Sequence, residues 1–261
     1  MDTGNPERPT KALVFDVSDL MHKAAINIDR VLSQLVALGP YRTPPARFYS
    51  FDGVTPQDVG HEGDQLPAFL FRSDDGLQNQ INTWLDRLGV GYHIHVSPIK
   101  AQFDDLFELR LTDQRRAEAV DMSLTDVGYG ISQLLPFVVQ SLASKKQIIS
   151  IEQPEVHVHP RLQADIGDLL IDAIQAPKEQ QFLIETHSEH LILRLLRRIR
   201  ETADGELPKG HPGLTPDQLS VIYVERGEEG SKAHRLRVDE SGEFIDPWPQ
   251  GFFEERAEEL F

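Results

Sequence analysis

The sequence predicts an α/β fold: a mixed sheet flanked by helices, with an added β-hairpin near the carboxyl terminus. Three observations carry that expectation. The stretch Gln147 to Pro160 opens with a β-branched run (Ile148, Ile149, Ile151) and closes on Glu152, Gln153 and Pro154. Branched side chains pack well on a pleated sheet and proline cannot donate to a ladder, so a buried strand should stop there. A second short apolar run, Gln181 to Ile184, stops at Glu185-Thr186-His187-Ser188. Between the two, Leu162, Ile166, Leu169, Leu170 and Ala173 recur at helical spacing, with Pro160 placed as a first helical residue. An acidic residue at the carboxyl end of a buried strand is where open α/β sheets place ligand chemistry. A strand ending in a solvated turn is the plainer alternative.

Composition bounds the rest. The chain has 261 residues, 39% of them hydrophobic, enough for a sizeable core in one large domain or two small ones. Lys and Arg total 26 against 42 Asp and Glu, a formal net charge of -16. That argues against broad non-specific nucleic-acid binding, which runs on phosphate neutralisation, and leaves a single local basic patch open. The absence of cysteine excludes disulfides, thiolate metal sites and cysteine nucleophiles. No apolar signal region opens the chain and no run approaches the ~20 apolar residues that span a bilayer. A soluble cytoplasmic protein is expected, with no membrane partner.

In chain order, residues 1 to 10 read as a polar lead and Ala12 to Val17 as a short strand. Ala25, Ile28, Val31, Leu32, Leu35 and Leu38 recur at three and four, which predicts an amphipathic helix over 22–38 ended by Gly39-Pro40. The segment Tyr41 to Tyr49 holds Pro44-Pro45 and is expected to be extended. Its Arg42 and Arg47 can fork onto phosphates or carboxylates, or make surface ion pairs. Residues 52 to 65 read as loop and Leu77 to Leu88 as a helix. Tyr92 to Val96 and Leu106 to Leu111 alternate and should pair in a sheet. His93 and His95 share a face, which reads as a solvated strand face rather than a metal site, since no third ligand lies nearby. Gly128 and Gly130 lead into an apolar helix (Leu134, Leu135, Val138, Val139, Leu142). Glycines at a helix start leave backbone N–H groups open to an anion, although the same pattern serves as a plain cap and turn. Glu189 to Arg200 is a helix with a basic face of Arg194, Arg197 and Arg198, for which favourable placement near a helix carboxyl end is sufficient reason. Leu219 to Glu225 and Ala233 to Val238 form the hairpin.

Three motifs therefore stand in order: the glycine-rich helix start at Gly128 to Gln133, the acidic strand end at Glu152 to Glu155, and the strand ending at Thr186-His187-Ser188. Together they resemble the carboxyl-terminal lobe of ABC-type ATPases, a P-loop NTPase-like fold, in the RecF/SMC/OLD-like branch. The chain looks most like the predicted ATPases that carry Ile-Glu-Gln-Pro-Glu-x-His-x-His-Pro, Glu-Thr-His-Ser-Glu-His and Trp-Pro-x-Gly-Phe-Phe. These stand at Ile151 to Pro160, Glu185 to His190 and Trp248 to Phe253. The resemblance implies a lead and helix over 1–38, the ATPase lobe over 39–254 and an acidic helical tail over 255–261.

It also implies roles. Gly128, Gly130, Ser132 and Gln133 correspond to the signature that contacts the nucleotide γ-phosphate across a dimer. Glu152 corresponds to the Walker B acid that serves Mg²⁺, here through water. Gln153 holds the place of the catalytic Glu, His157 and His159 lie at the D-loop, and His187 at the switch histidine. Relatives of this branch act in DNA repair, chromosome organisation and phage defence. Two departures matter. Gly128 replaces the usual signature Ser. An amide at Gln153 cannot take the attacking water's proton, a role worth roughly 10²–10⁴-fold in rate, unless Glu155 or His187 substitutes. A P-loop needs G-x-x-x-x-G-K-[ST], and no glycine here precedes a lysine. The reading that results is a lobe that binds ATP and Mg²⁺ only in a site completed by a P-loop lobe from elsewhere, through self-association or a partner polypeptide, with nucleic acid reached only through such a complex. A non-catalytic interaction module and a metal-dependent hydrolase built on His157, His159, His187 and carboxylates stand as alternatives.

Overall fold

A computed structural model of the protein describes residues 10–100, 103–116, 118–143, 146–177, 179–227 and 230–247. The polar lead, the acidic tail and the segment Trp248 to Phe253 lie outside the described residues, apart from Thr10. The chain divides after Leu35. On the amino-terminal side lies a helix, α1 (Thr10–Leu32). It includes Ala12 to Val17, where a strand is expected, and it stops short of Leu38. Ser33 and Gln34 turn the chain with bonds back to Asp29 and Val31. A strand, β1 (Leu35–Leu38), follows, with Val36 and Leu38 buried. Leu35 and Leu38 fit a helical spacing, but Val36 and Leu38, two apart, share the buried face of a strand, and pairing into a sheet decides for the strand. Gly39-Pro40 therefore ends a strand, not a helix.

The larger unit starts at Val36. Its further elements are β2 (Tyr49–Ser50), α2 (Leu66–Phe71), α3 (Asp75–Arg87), β3 (Tyr92–Lys100), β4 (Phe103–Asp113), β5 (Val120–Ser123), α4 (Tyr129–Ala143), β6 (Ile148–Glu152), α5 (Pro160–Gln175), β7 (Gln181–Glu185), α6 (Glu189–Ala203), β8 (Val221–Gly227) and β9 (Gly230–Leu236). Among the described residues there are three sheets. One has the order β1-β6-β7, in which β6 and β7 run parallel with Ile151 opposite Ile184 and Glu152 opposite Glu185. The second is antiparallel: β3 lies on one edge of β4, while β2 and β5 share the other. The third is the β8–β9 hairpin. The fold is mixed α/β with helices on the sheets, as the sequence predicts.

The alternation in β4 does its expected work. Phe107, Leu109 and Leu111 are fully buried, and the Phe107 ring stacks on Phe71 at 4.3 Å and on Tyr49 at 5.7 Å. Ile81, Trp84, Leu85 and Leu88 bring the inner face of α3 into the same core as Leu134, Leu135, Val138, Ile149, Ile151, Ile166 and Leu169. Each such side chain contributes about 1.5–3 kcal/mol when fully buried. On the outer face of β3, the His93 Nε2 lies 2.9 Å from Asp86, and His95 lies 3.5 Å from Asp121. These histidines pair with acids on a half-buried strand face. Among the described residues no group of three His, Asp or Glu stands close enough to hold a metal ion, so the metal-hydrolase alternative finds no ligand set there.

The basic face of α6 has a different cause from the one expected. Arg198 is buried and places Nε and Nη2 on the two oxygens of Asp168 in α5, at 2.7 and 2.9 Å. Arg194 bonds Asp165 at 3.0 Å and also Asp168, and His211 Nδ1 lies 2.8 Å from Arg198. Burial would raise the Asp168 carboxyl, but the Arg198 hydrogen bond and the charges of Arg194 and Arg198 outweigh it and hold it below the usual carboxylate range. These arginines join two helices; only Arg197, paired with Glu201 on its own helix, remains on the surface.

Candidate functional site

The site is built where the parallel strands end. β6 finishes at Glu152 opposite Glu185 of β7. The next residue, Gln153, takes a left-handed backbone conformation (φ 46) and donates its N–H to the Glu185 carbonyl at 2.8 Å. A non-glycine residue held there costs of order 1–3 kcal/mol, which the surroundings must supply. The chain then turns through Pro154 to His157. Val156 N–H bonds Gln153, Val158 N–H bonds Glu155, and His157 is again left-handed (φ 61).

Glu155 fixes this turn to the neighbouring strand end. One oxygen accepts the His187 N–H at 2.7 Å and the other accepts the Thr186 hydroxyl at 2.8 Å. Thr186 Oγ1 in turn accepts the Ser188 N–H at 3.0 Å. Ser188, the N-cap of α6, accepts the Leu191 N–H and donates to Gln163 Oε1 at 2.8 Å. Gln163 closes the circuit by donating to the Val158 carbonyl at 2.9 Å. The turn after β6, the loop after β7 and the starts of α5 and α6 are thus one hydrogen-bonded unit. Sequence reasoning did not find Thr186, Ser188 and Gln163 as members. Ser188 before a helix was readable as a cap, but nothing in the chain links Gln163 to it.

The glycine-rich helix start packs on the same turn. A side-chain carbon on Gly130 would stand 2.7 Å from the His157 carbonyl oxygen, so only glycine lets the two backbones approach. The Tyr129 and His157 rings meet edge to face at 5.2 Å. Gly128, Gly130, Ile131, Leu134, His157, Val158, His159 and Leu162, with Gly89 and Val90, line a cavity of about 280 Å³. Around Gly128 there is open space.

The candidate residues therefore fall into two groups. Glu155 is committed to the loop, His159 accepts the Arg161 N–H as the cap of α5 at 3.2 Å, and Ser132 and Gln133 are buried, with the Ser132 hydroxyl on the Tyr129 carbonyl. Among the described residues the side chains of Glu152, Gln153 and His187 take no hydrogen bond, and Glu152 and His187 are exposed. Mg²⁺ binds through one or two carboxylates with water and phosphate completing the shell, and the free Glu152 carboxylate fits that role. Gly128 and Gly130, next to a helix amino terminus, fit an approaching phosphate. The segment after β1 contributes as well. Arg47 forks onto Asp126 at 2.6 and 3.1 Å on the surface. Arg42 is 6% exposed. Burial lowers its guanidinium to about 10, against the raising influence of Glu152.

Residues 64–192 match the family model described as "AAA ATPase domain". Strands β6 and β7 and the strand-end residues from Glu152 to Ser188 lie within that match. A second model, described as "Protein of unknown function", matches residues 214–261. No curated protein matches the chain. Similar solved structures include an SMC head bound to the C-winged helix domain of ScpA, 11% identical with a TM-score of 0.47 over 70% of this chain and 48% of that one. An SMC head with an extended coiled coil bound to the C-terminal domain of ScpA, from Pyrococcus furiosus, is 12% identical with a TM-score of 0.44, covering 77% and 40%. An SMC ATPase structure concerned with ATP-driven dimerization and DNA-stimulated activation is 13% identical with a TM-score of 0.44, covering 70% and 90%. The chain spans about half the length of the first of these. No helix among the described residues is long and apolar enough to cross a membrane.

Proposed function

We propose that this ATPase domain supplies the signature, Walker B, D-loop and switch-histidine elements of an ATP·Mg²⁺ site that a P-loop lobe completes. That lobe comes from another segment of a longer chain or from a second polypeptide. The observation that carries the reading is the Glu155 circuit, which ties the end of β6 to the end of β7 while, among the described residues, the side chains of Glu152, Gln153 and His187 take no hydrogen bond. A motif-sized set of polar groups left free beside a rigid unit is what a site awaiting a ligand requires. The position of β7 at an edge of its sheet, with Leu183 61% exposed, supports a neighbour there, since an exposed edge strand is a template for pairing.

In the completed site Glu152 holds Mg²⁺ through water, and Gly128 and Gly130 present backbone to a phosphate. His187 meets the γ-phosphate, and Gln153 orients water without deprotonating it. Mg²⁺ supplies charge neutralisation on the transferring phosphoryl group. The chain works in the cytoplasm, self-associated or with its P-loop partner. The test is steady-state ATP hydrolysis by the chain combined with a P-loop lobe. Glu152→Ala should weaken Mg²⁺-dependent nucleotide binding. His187→Ala should lower turnover with nucleotide affinity nearly intact. Gln153→Glu should raise turnover by restoring a base. Loss of turnover in both Gln153→Glu and Glu155→Gln would reject this assignment of the base.

A further inference from the structure

Among the described residues Arg42 is the least explained charge. It lies just past β1 in a segment without regular structure, yet it is 6% exposed, and its Nε and Nη1 are buried without a hydrogen-bond partner. Removing one partner of a buried ion pair is strongly destabilising, because the remaining charge is uncompensated. Arg42 is in that condition as the chain stands. Its one influential acid is Glu152, which forms no ion pair with it.

The same part of the fold holds another unpartnered donor. Arg42 Cδ approaches Gly63, against which Pro136 of α4 also packs. Gln140, on the same face of α4, accepts the Val59 N–H at 3.1 Å. Gln133 lies one turn before Pro136 on that face, since positions three apart on a helix are neighbours. Its Nε2 is likewise buried and unpartnered. Arg42 Nε and Nη1, on a side chain that feels the charge of Glu152, and Gln133 Nε2 on α4 are all N–H groups that lack an acceptor oxygen. Guanidinium forks match phosphate oxygens in shape and charge.

We propose that Arg42, supported by the Gln133 amide, is a phosphate-binding side chain that takes an oxygen of the nucleotide's phosphate chain next to the Glu152-held cation. This rests on the ATP·Mg²⁺ reading for the identity of the ligand, but the anion site itself is testable without it.

The experiment is thermal unfolding of the chain in inorganic phosphate, in tripolyphosphate and in chloride at equal ionic strength. A ligand that binds only the folded state raises the midpoint by mass action. Phosphate and tripolyphosphate should raise the wild-type midpoint by a few degrees over chloride. Arg42→Met, which removes the orphaned charge and keeps an unbranched apolar chain, should abolish that rise without lowering the midpoint in chloride. Arg42→Lys, which keeps the charge and loses the fork, should reduce the rise. No phosphate-dependent rise in the wild type, or a full rise in Arg42→Met, would overturn the proposal. So would a fall of the Arg42→Met midpoint in chloride, which would mark Arg42 as paired within the fold. If the rise depends on Arg42 but the chain and a P-loop lobe never bind ATP, the anion site stands and the ATPase reading fails.

Discussion

Glu155→Ala removes the acceptor of two hydrogen bonds at once. The His187 N–H at 2.7 Å and the Thr186 hydroxyl at 2.8 Å both end on this carboxylate. Hydrogen bonds to a charged group contribute about 1.5–3 kcal/mol each. Glu155 is half-buried, so the lower end of that range applies, and a loss of about 3 kcal/mol is expected for the pair. Glu155→Gln should cost only about 1 kcal/mol, because its amide oxygen still accepts the His187 N–H and the Thr186 hydroxyl can rotate. The assay is urea unfolding with the slope checked for constancy, together with hydrogen exchange at the His187 amide. Exchange at His187 should accelerate greatly in Glu155→Ala and slightly in Glu155→Gln. If Glu155→Ala leaves both the midpoint and the His187 exchange rate unchanged, the carboxylate does not hold the loop and the circuit has no energetic content.

Other expectations follow from single contacts. Asp168→Asn should destabilise the α5–α6 pair by about 3–5 kcal/mol, because Arg194 and Arg198 then lack a buried counter-charge. The Asp168 carboxyl is lowered in the folded state, so its contribution is present above the ordinary carboxylate value and is lost as pH falls through the lowered one. Wild-type stability should drop more steeply than that of Asp168→Asn below about pH 4, as read by unfolding midpoints across an acid series. Gly130→Ala should cost about 1–3 kcal/mol as an overpacking change, since the new carbon meets the His157 carbonyl at 2.7 Å, and a midpoint equal to wild type would mean that the turn yields freely.

Local pattern made much of the fold legible. Branched residues and a following proline marked β6 and its stop, and two-residue alternation marked β3 and β4. Both are signals carried within a few residues. The amino-terminal boundary is ambiguous for the same reason: Leu35 and Leu38 sit at a helical spacing while Val36 and Leu38 sit at a strand spacing, and only pairing with a distant strand separates the two. The short helix α2 went unread because Leu66–Phe71 is too brief for a period and follows a glycine-rich stretch. At the site, chain order alone brought Glu152, Gln153 and His187 forward. It could not show that Glu155 is spent on Thr186 and His187, which lie 31 and 32 residues away. Nor could it show that Arg42 is buried, because that depends on packing against residues distant in the chain. Gly63, itself packed on Pro136, lies against its side chain from elsewhere in the chain.

The central claim is that this domain holds part of a nucleotide site. Calorimetric titration of ATP·Mg²⁺ tests it most directly, first into the chain alone and then into the chain combined with a P-loop lobe. No micromolar binding is expected to the chain alone, because the P-loop supplies most phosphate contacts in this type of site. Micromolar binding that weakens in Glu152→Ala is expected once the P-loop lobe is present. Micromolar binding to the chain alone, or none with a folded P-loop lobe added, would contradict the account.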